Sequence, residues 1–446
     1  MNLAELQQIV YDSGIVGAGG AGFPTHKKFS ENVKQIVVNA AECEPLLMTD
    51  HYILRIHLRA MLDTLHTLID TLKADEAIIG IKQKNLSLLD PKLVAELPEN
   101  IRIGIIPDVY PAGDEVLLVY ETTGKIIPEG NLPIAVGVMV INTETLYNLA
   151  QALQHGIPVY EKRLTICGDT KEDMVVKAPI GMKISDLFSA CGIELGDRAV
   201  IDGGPMMGRL VDPKTAVVTK TTKGLLLLPQ EHSIIQRRKT PISAVMKRAS
   251  AACCNCRMCT DVCPRYLLGY SIEVHKTLRA ASHGEISDAE SYLQSSRCCG
   301  CGLCTVVGCQ QMLNPQAISM EVKKELGKHG YRAKPATEAP QVRPERDGRR
   351  IPSARLVERL GIAKYVKKDV RRNPMEFAPD EVQIPLSMHV GKPASPIVSV
   401  GDEVSPGMPI ARTEKDALGT TIHASISGVV SEIKDGRIMI QAKGRK

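Results

Sequence analysis

The chain has 446 residues, of which 44% are apolar and 3% aromatic with no Trp, and a formal net charge of +5 spread along its length. That length suffices for three or four domains with ordinary cores. The scarcity of aromatics excludes broad stacking surfaces for nucleic acid, and no run of 18 apolar residues offers a transmembrane span.

In chain order, Leu3, Leu6, Ile9 and Val10 recur at helical spacing over 3–13. A Gly-rich loop, Gly14 to Gly22, is followed by a short helix near Lys27 to Asn32 and a strand from Gln35 to Asn39. An amphipathic helix over His51 to Ala74, strand Ala77 to Ile81, a helix near Pro91 to Leu97, strand Ile101 to Ile106, strand Val136 to Ile141 and helix Glu144 to His155 continue the alternation. Such alternation predicts a mostly parallel sheet with flanking helices. From Val159 the texture changes. Strand-like segments Arg163 to Gly168, Met174 to Lys177, Arg198 to Asp202, Ala216 to Thr219 and Gly224 to Leu228 surround one helix, Ile184 to Cys191, and read as a separate β-rich domain. A cysteine-rich module occupies 245–320. Residues 321–380, rich in Lys, Arg and Pro with one helix near Ala354 to Leu360, read as a long, partly irregular connection. The remainder has short strands and turn signals at Gly401-Asp402, Pro406-Gly407, Ser427-Gly428 and Asp435-Gly436, a small all-β unit. The densest basic stretches, Arg237-Arg238-Lys239 and Arg343 to Arg350, read as solvated linker or docking surface and not as a nucleic-acid footprint.

The strongest chemical signal lies in two cysteine runs, Cys253-x₂-Cys256-x₂-Cys259-x₃-Cys263-Pro264 and Cys298-x₂-Cys301-x₂-Cys304-x₄-Cys309. Three thiolates at successive gaps of two residues wrap one small volume and can ligate three corners of an iron–sulfur cube, a fourth thiolate completing the set. Zinc is the alternative, but structural zinc sites pair two Cys-x₂-Cys units across a longer loop. Three consecutive ligands per run suit a cube better than a tetrahedron, so the runs predict two [4Fe–4S] clusters moving single electrons. In two-cluster ferredoxins the fourth cysteine serves the other cluster. That assigns Cys253, Cys256, Cys259 and Cys309 to one cube, and Cys298, Cys301, Cys304 and Cys263 to the other. The longer gap before Cys309, the missing Pro after it, and the neighbouring Cys254 and Cys299 leave the partition open. Cys43, Cys167 and Cys191 stand apart and read as buried structural thiols. Thirteen cysteines, an odd number, and an N-terminus that reads as an amphipathic helix in place of a signal peptide fit a reducing compartment.

Gly17-Ala18-Gly19-Gly20-Ala21-Gly22 formally matches G-x-G-x-x-G, and Glu42 stands further along. A dinucleotide fingerprint needs a strand before the loop and a helix after it. Here a helix precedes, and Pro24 interrupts the segment after the loop. Closely spaced glycines still bare their amides to a flat ligand or phosphate.

The wider context carries a resemblance. Gly17 to Lys28, Asn39-Ala40-Ala41-Glu42-Cys43-Glu44-Pro45, Tyr110-Pro111-Ala112-Gly113-Asp114-Glu115 and Asn142-Thr143-Glu144-Thr145-Leu146 resemble, in order, four motifs of the FMN-binding flavoprotein subunit of respiratory NADH dehydrogenase. His423-Ala424-Ser425-Ile426-Ser427-Gly428 resembles an element of the hybrid domain of the RnfC protein of the Rnf electron-transport complex. Domain order and length are most similar to the cobalamin reductase family of propanediol-utilising microcompartments. The resemblance implies a multidomain α/β and α+β chain: an N-terminal α/β FMN/NADH-binding domain (1–157), a β-grasp SLBB domain (158–230), a two-[4Fe–4S] ferredoxin-like helical module (240–320), a connecting segment (321–380) and a C-terminal all-β barrel-sandwich hybrid (381–446). It places Gly17, Gly19, Gly20, Gly22 and Thr25 around FMN with Lys28 nearby, and Phe23 beside the nicotinamide. Asn39, Asn142 and Thr145 would bond the flavin or its phosphate. Glu42, Glu44 and Glu115 become the catalytic-site carboxylates facing flavin and NADH, with Asp114 standing where the family has Glu. The implied activity passes electrons from NADH through FMN and two clusters to cobalamin, taking cob(III)alamin or cob(II)alamin toward cob(I)alamin for adenosylation. An Rnf-like subunit donating to another acceptor is the alternative. The implied partners are a cobalamin adenosyltransferase and shell proteins, in the cytoplasm within a bacterial microcompartment. No Asp-x-His-x-x-Gly corrinoid motif occurs, so cobalamin would bind transiently or on a partner. The C-terminal unit also resembles lipoyl carriers, but Lys415 lacks their Asp-Lys-Ala context, which favours a docking role.

Overall fold

The structure is a computed structural model that describes residues 1–20, 22–285, 287–367, 370–371, 375–414 and 417–443; Ala21 of the glycine loop and Lys415 lie outside the described residues. Four strands form a parallel sheet in the order Ile101–Ile106, Glu76–Lys82, Gln35–Ala40, Val138–Asn142. They are short apolar runs, as a parallel sheet covered on both faces requires. Period-two alternation sends Ile36 and Val38 to one face, under helices Thr49–Leu72 and Thr143–His155, and Val37 to the other. Helix Glu115–Thr123 covers that second face together with Tyr266, Leu267 and Tyr270 of the cysteine-rich stretch. The cysteine module is therefore packed onto the sheet itself.

The β-rich stretch is a six-stranded mixed sheet in the order Val370–Arg371, Asp173–Pro179, Glu161–Gly168, Gly224–Pro229, Arg198–Asp202, Arg209–Val211, with helix Ile184–Ala190 against it. The C-terminal unit has two antiparallel sheets. One contains Glu381–Pro385, Arg437–Ala442, Gly428–Lys434 and Glu403–Val404; the other contains Ser395–Pro396, Pro409–Arg412 and Ile422–His423. Its Ile384, Ile410 and Ile438 share one apolar core with Leu6, Val10 and Ile15 near the N-terminus. Among the described residues no helix is long and apolar enough to cross a membrane.

The structure differs from the sequence expectations in several places. Residues Ala216 to Thr219 form no strand, and Val217 makes only an isolated bridge to Lys183, because turns at Asp212 and Thr219 confine the segment. The helix expected near Lys27 to Asn32 is a single 3₁₀ turn, Thr25–Lys28, after which Phe29 turns extended and buries its ring. Residues 321–380 are no free connection. Helix Pro315–Lys328 runs past their start and packs through Ile318 and Val322 against helices Ile242–Ala252 and Val274–His283. Arg346 is buried against Glu121, Ile351–Pro352 pairs with Val109–Tyr110, and Leu356 and Leu360 pack on Val306 and Val307. A basic composition reads as solvated, yet these charges are taken up by partners: Arg349 by Asp261, and Arg238 of the other basic stretch by the carbonyls of Pro205 and Gly208.

Lys162 Nζ lies 2.6 Å from Glu144 Oε2 with both side chains almost wholly buried, joining the six-stranded unit to the parallel-sheet unit. Lys162→Met strands the Glu144 carboxylate and is expected to cost about 3–5 kcal/mol, read as a lower urea midpoint. Adding Glu144→Leu removes the orphan charge and recovers most of that loss.

Candidate functional site

A cavity of about 190 Å³ opens where the carboxyl edge of the parallel sheet, the six-stranded unit and the cysteine module meet. Asn39 and Asn142, in register on neighbouring parallel strands, stand at that edge, where α/β folds bind ligands. Asn39 Nδ2 donates to Gly113 O at 2.9 Å. Asn142 caps its helix through Glu144 N, and its Nδ2 donates to Asp50 Oδ2 at 3.0 Å.

Of the expected flavin residues, the structure brings Gly19, Asn39, Glu42, Glu44 and Asn142 to the cavity wall. A Cβ at Gly19 would stand 2.9 Å from Asn142 Nδ2, and Gly20 faces open space. Gly17 N donates to Phe23 O and Val16 bridges Pro24, closing the loop at its base. Thr145 Oγ1 accepts from Ala18 N at 3.0 Å and pins the loop to the helix. Gly22, at φ +73°, lies against the Met388–His389 backbone of the C-terminal unit. Thr25 is buried behind the loop, its amide donating to Ile15 O. Gly17, Gly20, Gly22, Phe23, Thr25 and Thr145 are not on the wall, and neither are Lys28 and Glu115, which face each other at 3.4 Å. Asp114 is on it instead. Asp114 Oδ1 caps the following helix, and its Oδ2 accepts from Arg265 Nη2 at 2.8 Å, tying the wall to the cysteine module.

Two residues that sequence reasoning missed set the electrostatics. Lys223 Nζ, from the six-stranded unit, lies 2.5 Å from Asp50 Oδ2 and 3.2 Å from Glu42 Oε1. Glu42 Oε2 accepts from Asp50 N at 2.6 Å. Burial, and then the Asp50 carboxylate, raise the Glu42 carboxyl to about 7. Burial by itself would lower the Lys223 ammonium, but Asp50 and Glu42 lift it above its ordinary value. Asp50 Oδ1 is buried with no partner among the described residues and remains an acceptor for a ligand. No local pattern marks either residue: Asp50 begins a helix and Lys223 precedes a strand, and only the fold makes them neighbours. Glu44, also on the wall, has its oxygens engaged by the protein itself. Its oxygens accept from Met206 N at 3.0 Å and Met207 N at 2.9 Å, so it clamps the Gly203 to Gly208 loop over the cavity. Cys43 is on the wall too; its Sγ accepts from Gly113 N at 3.2 Å, and burial raises it to about 11.

The cysteines gather in two groups. Cys253, Cys256, Cys259 and Cys309 ring one volume with Cys254. Cys263 stands beside Cys298 and Cys299, and Cys301 beside Cys263 and Cys304. Burial pushes the Cys259 and Cys263 thiols up to about 12. Thiolate sulfur is the ligand that iron–sulfur clusters take, and two groups of four gathered cysteines give a donor set that fits them. The cradle at Gly19, the free Asp50 oxygen and the bared sheet edge fit a flat, hydrogen-bonding ligand such as a flavin. Cys299 and Cys301 line this same cavity, and Tyr110 Oη donates to Cys301 O at 2.9 Å.

Residues 10–151 match the Nuo51 FMN-binding domain, residues 252–314 a 4Fe-4S dicluster domain, and residues 361–445 the RnfC barrel sandwich hybrid domain. The chain is 36% identical over 439 residues to the cobalamin reductase PduS of Citrobacter freundii, spanning 98% of this chain and 96% of that one. Against the PduS of Salmonella typhimurium it is 36% identical over 443 residues, with the same 98% and 96% spans. A component of the Na(+)-translocating ferredoxin:NAD(+) oxidoreductase complex of Acetobacterium woodii is 31% identical over 275 residues, 60% of this chain and 59% of that one.

Because folding raises Glu42, the folded protein holds a proton that the unfolded chain has released, and this group's contribution to stability falls as pH rises from 4.5 to about 7. Glu42→Gln is expected to flatten that part of the profile of urea midpoint against pH. At Gly204 a Cβ would collide with Glu44 Oε2. Gly204→Ala should therefore dislodge the Met206–Met207 loop and weaken flavin retention, read by equilibrium dialysis of the flavin.

Proposed function

The chain belongs to the cobalamin reductase PduS family, and on that premise we propose that it is an NADH-dependent flavo-iron–sulfur reductase that delivers electrons to a corrinoid, taking cob(III)alamin or cob(II)alamin toward cob(I)alamin for adenosylation. It is an oxidoreductase with an FMN-binding domain and a 4Fe-4S dicluster domain. When bound, FMN turns the electron pair of a hydride into single electrons, which is the form that two [4Fe–4S] cubes accept.

The chain's own residues give this chemistry its setting. Gly19 and the strand ends at Asn39 and Asn142 hold the flat ligand at the sheet edge. Asp50 Oδ1, which has no partner among the described residues, would be the acceptor for a donor on it, and the Lys223 ammonium balances the buried carboxylates. Glu42, raised to about 7, takes up or releases a proton as the charge on the ligand changes. Glu44 holds the Met206–Met207 loop as a cover that excludes water. The six-stranded unit, in this reading the SLBB β-grasp domain, supplies both that cover and Lys223. Cys253, Cys256, Cys259 and Cys309 hold one cube, and Cys263, Cys298, Cys301 and Cys304 the other. A cobalamin adenosyltransferase and microcompartment shell proteins are the expected neighbours in the cytoplasm.

The observation that carries the proposal is near full-length relatedness joined to one cavity walled by both Asn39 and Asn142 and by Cys299 and Cys301. Anaerobically purified protein is expected to contain about eight irons with matching sulfide and one flavin per chain. NADH should bleach the flavin and reduce added cob(III)alamin. Colourless protein, or protein holding only zinc, overturns the proposal. NADH oxidation that reduces ferredoxin but no corrinoid favours the Rnf-like alternative.

A further inference from the structure

We propose that the two cysteine sets have fixed, unequal roles: Cys263, Cys298, Cys301 and Cys304 form the inlet that receives electrons at the cavity, and Cys253, Cys256, Cys259 and Cys309 form the outlet where electrons leave the protein. The inference deepens the proposed function and rests on it for the cofactors.

Position supports the inlet. Cys301 and its neighbour Cys299 are on the cavity wall, and no cysteine of the first run is. The Tyr110 hydroxyl, on the same wall, is bonded to the Cys301 carbonyl. Cys263, Cys301 and Cys304 are buried and Cys298 half-buried, whereas Cys259 is the one buried thiol of the other set, so solvent and large acceptors have poorer access to the inlet.

Exposure supports the outlet. Cys254 and Cys256 are exposed, and Met312, three residues beyond Cys309, is 76% exposed. Asn255, Arg257 and Met312 all take left-handed backbone conformations, at φ +53°, +66° and +54°. Such conformations are unfavourable for residues with a side chain and persist where a site imposes them. Asn255 and Arg257 curl the first run between its thiols, and Met312 turns the chain just after Cys309.

A short bridge joins the sets. The turn Cys304–Gly308 leads from an inlet thiol toward Cys309 of the outlet. Gly308 packs so tightly on the other run that a Cβ would stand 2.8 Å from Cys259 Cα, and Cys304 and Cys259 are electrostatic neighbours. Each NADH oxidised to NAD⁺ gives up two electrons and releases one proton. The two electrons cross this bridge singly and reduce two equivalents of a one-electron acceptor, or one acceptor twice.

The test uses the loaded full chain and electron paramagnetic resonance. Wild-type protein is reduced by NADH, or by photoreduction of its bound flavin, and frozen at successive times with a chelated dysprosium relaxant outside. The cluster signal less broadened by dysprosium is expected to appear first and the more broadened one second. The reverse order, or equal broadening of both signals, overturns the assignment. In Cys304→Ser the more exposed cluster should still be reduced by dithionite but lose its reduction by flavin. In Cys256→Ser the buried cluster should still be reduced by flavin. Flavin-driven reduction of the exposed cluster in Cys304→Ser at the wild-type rate also overturns it. Should either variant fail to fold, the wild-type order decides. Protein that NADH leaves oxidised refutes the donor of the proposed function and not this order, because light still starts the relay from the flavin.

Discussion

Lys223 is a buried ammonium held between the carboxylates of Glu42 and Asp50, which belong to another part of the chain. A charge out of water is tolerated only beside an opposite charge, and removing one partner strands the rest. The six-stranded unit therefore has one register on the parallel-sheet unit. Two further contacts enforce it: Lys162 on Glu144, and the Met206 and Met207 amides on Glu44. Each is a buried carboxylate of the first unit met by a donor of the second. The cavity is the space left between surfaces fixed in this way, so its shape and its charge have a common origin.

The cysteine module is placed by apolar burial. The face of the parallel sheet that carries Val37 and Ile78 would be half bare under one helix, and Tyr266, Leu267 and Tyr270 complete its cover. That packing brings Cys301 to the cavity while leaving Cys256 at the surface. The C-terminal unit joins the other side of the molecule through the core containing Leu6 and Ile438, and its Met388–His389 backbone abuts Gly22. The glycine loop is thus held from behind by one unit and pinned from the side by Thr145. A loop made of residues with little side chain gains its order from its neighbours.

Strands such as Ile101–Ile106 and Arg198–Asp202 are legible in the sequence with their bounds, because short apolar runs between turn signals have few other uses. The grouping of the thiols is legible as well, since spacing alone brings Cys253, Cys256 and Cys259 together. The 321–380 stretch misleads. Its Arg and Lys residues look solvated along the chain, and their partners, such as Glu121 for Arg346 and Asp261 for Arg349, are remote in sequence. At Glu44 the sequence is legible only in part. A motif says which residue stands near a site but not which backbone amides will reach its oxygens first.

The sequence by itself determined the local matters: the period of many elements, the clustering of thiols into two sets and the order of the units. These depend on residues close along the chain, where geometry follows from spacing. Tertiary structure decided that Asp50 and Lys223 charge the cavity wall, that Glu44 clamps a cover, and that Cys301 lines the cavity while Cys256 lies at the surface. Those outcomes come from desolvation and packing between segments more than a hundred residues apart in places, as with Asp50 and Lys223. Burial assigns such partners only once the surfaces have met.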